Sequence, residues 1–456
     1  MADMDAALNT LRSLESVQLR MLFLRYCVIS KAQFYMQNIS VGLNRPFLDG
    51  RISQFLEETL CLNPEELARL PAGNTQILLP LDRGGLGIPR LADIAPMAFL
   101  GGFKNSMRTL LSGMPELADR DGESSVILAA REAYTYFSFL CPDSQTFTDI
   151  PSTVDDFITT EYTQHSLTQE YYDAKEAQWK EAVEATRVAN IPHQHKFRMA
   201  SVSQPLASAF LRAVPTQGMF KMDNLEMRVG VWMRLGLSSD FLPETCPQCA
   251  SAQEPLHPIR CEEFRRRTQH FRHNRVQNTW RVIFQAAGSQ CDLEVPELYA
   301  DSREDGQADL RVDHRVHNFG VGEKHLLTDV SFVLPKWSTD VSTRENQKCH
   351  KYRITGGMVN THVFEPLVCD VYGGWGERAL QVWSRCAALH VDRHRSFPTA
   401  ADFKNFYGKY LSMSVVRAHA EMWAAYAQGV QPSRAPNHIP LQVEYVTDEP
   451  ISCFGS

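Results

Sequence analysis

Four candidate metal ligands within sixteen residues constrain this chain more than any other stretch. Cys246-Pro247-Gln248-Cys249 is followed by His257 and Cys261, a C-x2-C-x7-H-x3-C spacing. Zinc takes four ligands at tetrahedral angles, and thiolates with an imidazole suit it. Cys-x2-Cys lets two sulfurs of one tight turn face one ion. His257 and Cys261, four apart, can share one face of a starting helix. His270 is a competing fourth ligand. Structural sites of this type are closed, so the expected role of Zn2+ is to fold and position the downstream chain. Directly downstream lies a basic helix, Phe264 to Ala287, with Arg265-Arg266-Arg267 and Arg272-His273-Asn274. Spaced acids come next, Glu294, Asp309 and Asp329, and then Lys348 and Lys351. Together, a knuckle, a basic helix and a carboxylate–carboxylate–lysine series imply a module that grips and cuts nucleic acid.

Composition sets the frame for that module. A chain of 456 residues exceeds one ordinary domain and predicts two or three. Apolar residues at 44% and charged residues at 22% describe a soluble globular protein. The net charge of −7 excludes bulk affinity for nucleic acid, so any such surface is local. No stretch reaches about 18 uninterrupted apolar residues, which predicts no membrane span. The first thirty residues carry Asp3, Asp5 and Glu15 and no apolar core, which predicts no signal peptide. Eleven cysteines without framework spacing predict a reduced, intracellular protein, with the Cys246/Cys249 pair reserved for metal.

Upstream of the knuckle the pattern is helical. Leu8, Leu11, Leu14, Val17, Leu19, Leu22, Leu24 and Val28 recur at helical spacing and predict one or two helices over 6–39. Further helices are expected over 48–60 and from Pro64, with Asn63 as cap. Leu79-Pro80-Leu81-Asp82-Arg83-Gly84-Gly85-Leu86-Gly87-Ile88 places three glycines in four residues, a backbone held close to something. It lacks the lysine of a P-loop. Residues 113–170 read as a variable connector, acidic at Glu116–Glu123 and Asp155-Asp156. Glu170–Asn190 reads as a helix with charge pairs Glu176/Lys180 and Lys180/Glu184. Two more helices are expected over 207–215 and 224–237.

Downstream, Cys291–Pro296, Ala308–Val312 and Leu326–Val333 read as strands, and Glu345–Tyr352 as a helix. The run DHRVHNFGVGEKH, 313–325, reads as the loop between the second and third strands. Val363–Val368 is a strand, Tyr372-Gly373-Gly374-Trp375-Gly376 a turn, and 377–389 and 401–427 are helices. The tail from Gln431 is Pro-rich and irregular.

Several of these stretches resemble one family. LPLDRGGLGI, preceded by LRYCVISKAQFYMQNI and followed by ADIAPMAFLGGF, is similar to the region just after the palm in non-LTR retrotransposon reverse transcriptases. NLEMRVGVWMRLGL resembles the helix before the zinc knuckle there, and the RHN triplet and PLV…YGGWG segment resemble parts of the endonuclease region. The order helix–strand–strand–strand–helix, with acids at strand ends, resembles the PD-(D/E)XK nuclease core. No Tyr-x-Asp-Asp hairpin exists; Leu298-Tyr299-Ala300-Asp301 is a decoy. The resemblance therefore implies the C-terminal part of an element polyprotein, with the polymerase palm missing.

The implied fold class is α+β. A reverse-transcriptase thumb-like helical region spans 1–112, and a helical connector spans 113–237. The CCHC knuckle spans 238–263, a small mixed-sheet restriction-like endonuclease domain 264–395, and a C-terminal helix and tail 396–456. The implied reaction is metal-dependent nicking of DNA to prime reverse transcription. Asp309 takes the first aspartate, in Ala-Asp where Pro-Asp is usual, and Asp329 the second; together they hold Mg2+ or Mn2+. Ser331 stands where Asp-x-Lys would put a lysine, so the lysine comes from the next helix, Lys348 or Lys351. Glu294 is the helper glutamate, with Glu297 as fallback. Arg265, Arg266, Arg267, Arg272, His273 and Asn274 would meet nucleic acid. The implied partners are target DNA, element RNA and the missing polymerase portion, without a membrane, in the nucleus. The rival expectation is a catalytically decayed remnant that still binds nucleic acid.

Overall fold

Leucine periodicity in the N-terminal half becomes a helical body. A computed structural model of the chain describes residues 2–38, 45–71, 75–114, 125–147, 151, 153–185, 191–237, 242–251, 256–295, 311–319, 324–334, 340–353, 358–393 and 396–428. Within these the protein is α+β, mostly helical with one small mixed four-stranded sheet. The first stretch forms three helices, Ala2–Ser13, Val17–Phe23 and Ser30–Asn38, the last two joined by a π-helical segment, Leu24–Ile29. Ser16 starts the second by accepting from Leu19 N–H. Asn63 caps Pro64–Arg69 as expected, accepting from Glu65 and Glu66 N–H.

Helix α1 (Leu91–Gly113) is buried along most of its first half and packs against α2 (Gln164–Ala185), which begins earlier than the expected helix at 170. The segment expected as a helix over 207–215 is a 3-10 helix, Pro205–Arg212, opened by Pro205. Helix α3 (Asn224–Leu235) begins on a capping box, Asp223 with Glu226, and ends on Gly236 at φ +77°. Its Arg234 is buried and donates to the carbonyls of Gly85 at 3.0 Å, Val202 at 2.8 Å and Leu81. Those bonds pin the glycine loop. Gly84 and Gly87 sit at φ +88° and +65°, and a Cβ on Gly85 would stand 1.9 Å from the Leu79 carbonyl oxygen. LPLDRGGLGI and NLEMRVGVWMRLGL thus meet in space.

The sheet lies beyond the knuckle. Helix α4 (Glu262–Ala286) leads into β1 (Cys291–Val295), β2 (Val312–Val316) and β3 (His325–Val333). Helix α5 (Val341–Lys351) crosses to β4 (His362–Asp370), and α6 (Glu377–Arg393) and α7 (Ala400–Ala427) complete the described chain. Strand order is β1-β2-β3-β4; the first two pairs are antiparallel, and β3 pairs with β4 in parallel along nine residues. A parallel neighbour requires a crossover, which α5 supplies. The helix–strand–strand–strand–helix–strand order matches the sequence expectation. The second strand does not: it runs 312–316, so DHRV is strand where a loop was expected. Its central His314 hid it. That ring is buried between the Thr328 hydroxyl and the Gln277 carbonyl, both at 2.8 Å, and burial pulls its pKa down to about 4. A neutral, fully paired histidine fills a core position that apolar patterning does not flag.

Two cores result. One gathers the N-terminal helices, α1 to α3 and the knuckle; the other lies between the sheet, α4 and α6, with Trp280, Ile283 and Phe284 of α4 at its centre. Phe271, expected beside them, stays half-buried. Helix α7 lines both, giving Phe403, Leu411 and Val415 to the sheet core and Met413, Val416, Trp423 and Tyr426 to the helical core. An aromatic as buried as Trp423 removes roughly 200 Å² from water, about 5 kcal/mol of transfer free energy.

Candidate functional site

The knuckle is a closed turn. Ala250, at φ +56°, donates its N–H to the Cys246 carbonyl, and Cys246 N–H donates to the Ser251 carbonyl, both at 2.9 Å. Gln248 and Cys249 N–H point at Cys246 Sγ from 3.3 and 3.4 Å. Donors aimed at sulfur orient a ligand. His257 opens a helical turn, His257–Arg260, and Cys261 stands immediately before α4. Cys246 and Cys261 Sγ lie 3.7 Å apart, Cys249 Sγ and His257 Nε2 3.3 Å, and all four ligand atoms fall within 4.8 Å of one another. Zinc with tetrahedral bonds of ~2.3 Å would hold two sulfurs about 3.8 Å apart. The donor set therefore fits a metal such as zinc. Hydrogen bonds from Ser251 bring the Cys249 thiol down to about 6, whereas burial pushes Cys261 up to about 11. A thiol that burial keeps protonated ionises when a cation replaces its proton. His270 is exposed on α4 against Phe271 and is not one of the four.

The second cluster forms where β2 and β3 part. Their ladder pairs His314 with Thr328, Arg315 with Leu327 and Val316 with Leu326, and stops short of Asp313 and Asp329. At this fork the Asp313 carboxylate accepts the Val330 N–H. Its other oxygen lies 3.1 Å from His273 Nε2 of α4. Asp329 is ion-paired with Lys348 of α5 and accepts from the Tyr352 hydroxyl at 2.7 Å. That hydroxyl also lies 2.9 Å from the Arg311 carbonyl, and Lys351 Nζ donates to it at 3.3 Å. Burial opposes the charge on both Asp313 and His273. Their mutual hydrogen bond and attraction outweigh it, holding the carboxyl below and the imidazole above their ordinary ranges. Arg344, one turn before Lys348, donates from Nε to the Ser331 hydroxyl at 3.1 Å. A cation on α5 thus serves the slot two residues after Asp329.

The expected residues fare unevenly. Asp309 and Glu297 lie outside the described residues; the aspartate beside Asp329 is Asp313. Glu294 is exposed on the edge strand β1 at φ +49°. Lys348 rather than Lys351 touches a carboxylate. Arg265, Arg266, Arg267 and Asn274 are exposed on α4, with Arg266 paired to Glu262 and Glu263. Arg272 is corrected: its side chain is buried, 7% exposed, with its guanidinium 4.4 Å from the Phe332 ring centroid and its pKa pulled down to about 10 by burial. Helical rotation turns it inward at the step where His273 reaches Asp313. Sequence reasoning missed Asp313, Tyr352 and Arg344; the Val312-Asp313-His314-Arg315-Val316 alternation was the available signal.

Among the described residues no helix is long and apolar enough to cross a membrane. Compared with protein-family models and with curated proteins, the chain matches none.

Proposed function

We propose that this chain is the C-terminal part of a non-LTR retrotransposon-type protein whose sheet carries a divalent-metal-dependent DNA endonuclease. The observation that carries the reading is the fork between β2 and β3, which brings Asp313, Asp329 and Lys348 to one place on a helix–three strands–helix–strand frame. Two carboxylates from neighbouring strands are hard oxygen donors suited to Mg2+ or Mn2+ completed by water and a substrate phosphate. Such an ion supplies Lewis-acid polarisation of the phosphate and an activated water. The chain's own parts are clear in role. Asp313 and Asp329 would hold the ion, and Val330 N–H and Tyr352 fix their orientation. Lys348, released from Asp329, would face the phosphoryl oxygens, where a fixed cation favours the charge that develops. The exposed arginines Arg265 to Arg267 splay around one turn of α4 and would meet phosphates there.

A plasmid-nicking assay with Mg2+ or Mn2+ tests this. Wild type is expected to nick, and Asp313→Ala and Asp329→Ala are expected to lose nicking. Nicking that survives Asp329→Ala rejects the site.

One observation favours the rival reading, a nucleic-acid-binding remnant without catalysis. Both carboxylates are already engaged, Asp313 by His273 and the Val330 N–H and Asp329 by Lys348 and Tyr352. An enzyme opens that closure on binding metal; a remnant keeps it. Salt-dependent DNA binding with no nicking by any variant supports the remnant.

A further inference from the structure

The underside of the knuckle rests on the last turn of α7. Tyr426 is fully buried there, and its phenol is close enough to Cys246 to feel its charge. Its ring centroid lies 6.0 Å from that of His257 and 5.4 Å from that of Phe264. One turn earlier, Trp423 stacks on Trp232 of α3 at 5.8 Å. The end of α7 therefore touches two ligands and the helix that leads into the knuckle. Cys246 and Cys261 are buried on that side, whereas Cys249 is exposed.

The chemistry of this contact is directional. A phenol is a good donor, a thiol sulfur a weak acceptor, and a thiolate a strong one. A bond from the Tyr426 hydroxyl to Cys246 would gain most when a metal has displaced the Cys246 proton. The N–H groups of Gln248 and Cys249 already point at that sulfur, and the phenol would be its third donor. We infer that Tyr426 is a positioning residue of the metal centre, and that metal at the knuckle clamps the end of α7, the helix common to both cores. This rests on the knuckle holding metal.

Full-length protein tests it, as wild type, Tyr426→Phe and Tyr410→Phe. Tyr410 is half-buried on the same helix and is not among the knuckle's contacts. Zinc transfer to a chromophoric chelator and the thiolate-to-Co(II) charge-transfer band of cobalt-loaded protein are the readouts. Outer-shell partners are typically worth about 10–100-fold in metal affinity. Tyr426→Phe should weaken zinc binding by about that factor and shift the cobalt band, while Tyr410→Phe should match wild type. Stripping zinc from wild type should expose the end of α7 to protease, a result that needs no variant to fold. Unchanged zinc affinity and an unchanged cobalt band in Tyr426→Phe overturn the positioning role with the knuckle intact. Protection of α7 that survives zinc removal overturns the clamp. Wild type that binds no zinc overturns the metal reading, and this inference with it.

Discussion

The Lys348–Asp329 pair makes a prediction that separates an ion pair held for stability from one held for chemistry. The two side chains are 11% and 7% exposed, so each neutralises the other away from most solvent. Breaking a buried pair by removing one partner costs about 3–5 kcal/mol. Here Asp329 keeps the Tyr352 hydroxyl, so Lys348→Met should fall at the lower end, about 3 kcal/mol. Asp329→Asn leaves the ammonium unpaired and should cost a similar amount. The double variant removes both charges at once, and such replacements are often close to neutral. Its cost should lie well below the sum of the single costs, about 6 kcal/mol, which gives a coupling above the roughly 0.5–3 kcal/mol common for residues in contact. Hydrogen exchange of the β3 amides reads this locally, without assuming that the two cores unfold together. Single costs that add to the double within about 0.5 kcal/mol would refute the pairing. Nicking should be lost in all three variants; wild-type nicking by Lys348→Met would remove the lysine from the proposed chemistry.

Other perturbations draw on the same contacts. Asp370 is buried, and burial raises its carboxyl from 3.8 to about 6 despite bonds from Ser201 and the Tyr372 and Gly374 N–H groups. The folded state thus keeps a proton that the unfolded chain releases. Its contribution is fully present below pH 3.8 and is lost as pH rises through about 6, a change of about 3 kcal/mol. Urea midpoints across that window should show the slope in wild type and lack it in Asp370→Asn; equal slopes sink the assignment. Arg234→Leu should cost about 3 kcal/mol, about 1 for each carbonyl left without its donor, measured by chemical denaturation; a loss below about 1 kcal/mol contradicts the pinned loop. Gly85→Ala should not yield folded protein, because its Cβ would overlap the Leu79 carbonyl; a soluble variant with a native circular dichroism spectrum would refute that. Cys261→Ser should abolish stoichiometric zinc by metal analysis, and retained zinc would show that Cys261 is not a ligand.

The knuckle was legible because ligand spacing is a local property: C-x2-C and a His–Cys pair four apart put their atoms together within one turn each. Asn63 and the glycine loop were legible for the same reason, since each satisfies or strains its own backbone. The carboxylate site was only half legible. Asp329 lies in a strand rich in β-formers, but its partner is chosen by which strand pairs beside it. The polar run Asp-His-Arg disguised β2, and the helper groups Tyr352 and Arg344 arrive from a crossover helix. Arg272 shows the reverse failure. An arginine in a basic run reads as surface, and only the rotation of α4 against Phe332 decides that it is covered.

The sharing of α7 between two cores has a consequence for how the chain reaches its folded state. Synthesis runs from the N-terminus, and domains commonly fold as they emerge. Here the helical core lacks Trp423 and Tyr426, and the sheet core lacks Phe403 and Leu411, until α7 has been made. Neither core is complete on the growing chain, since each lacks its α7 side chains through the translation of everything before residue 400. The apolar surface that α7 covers is therefore the last in either core to gain its partner.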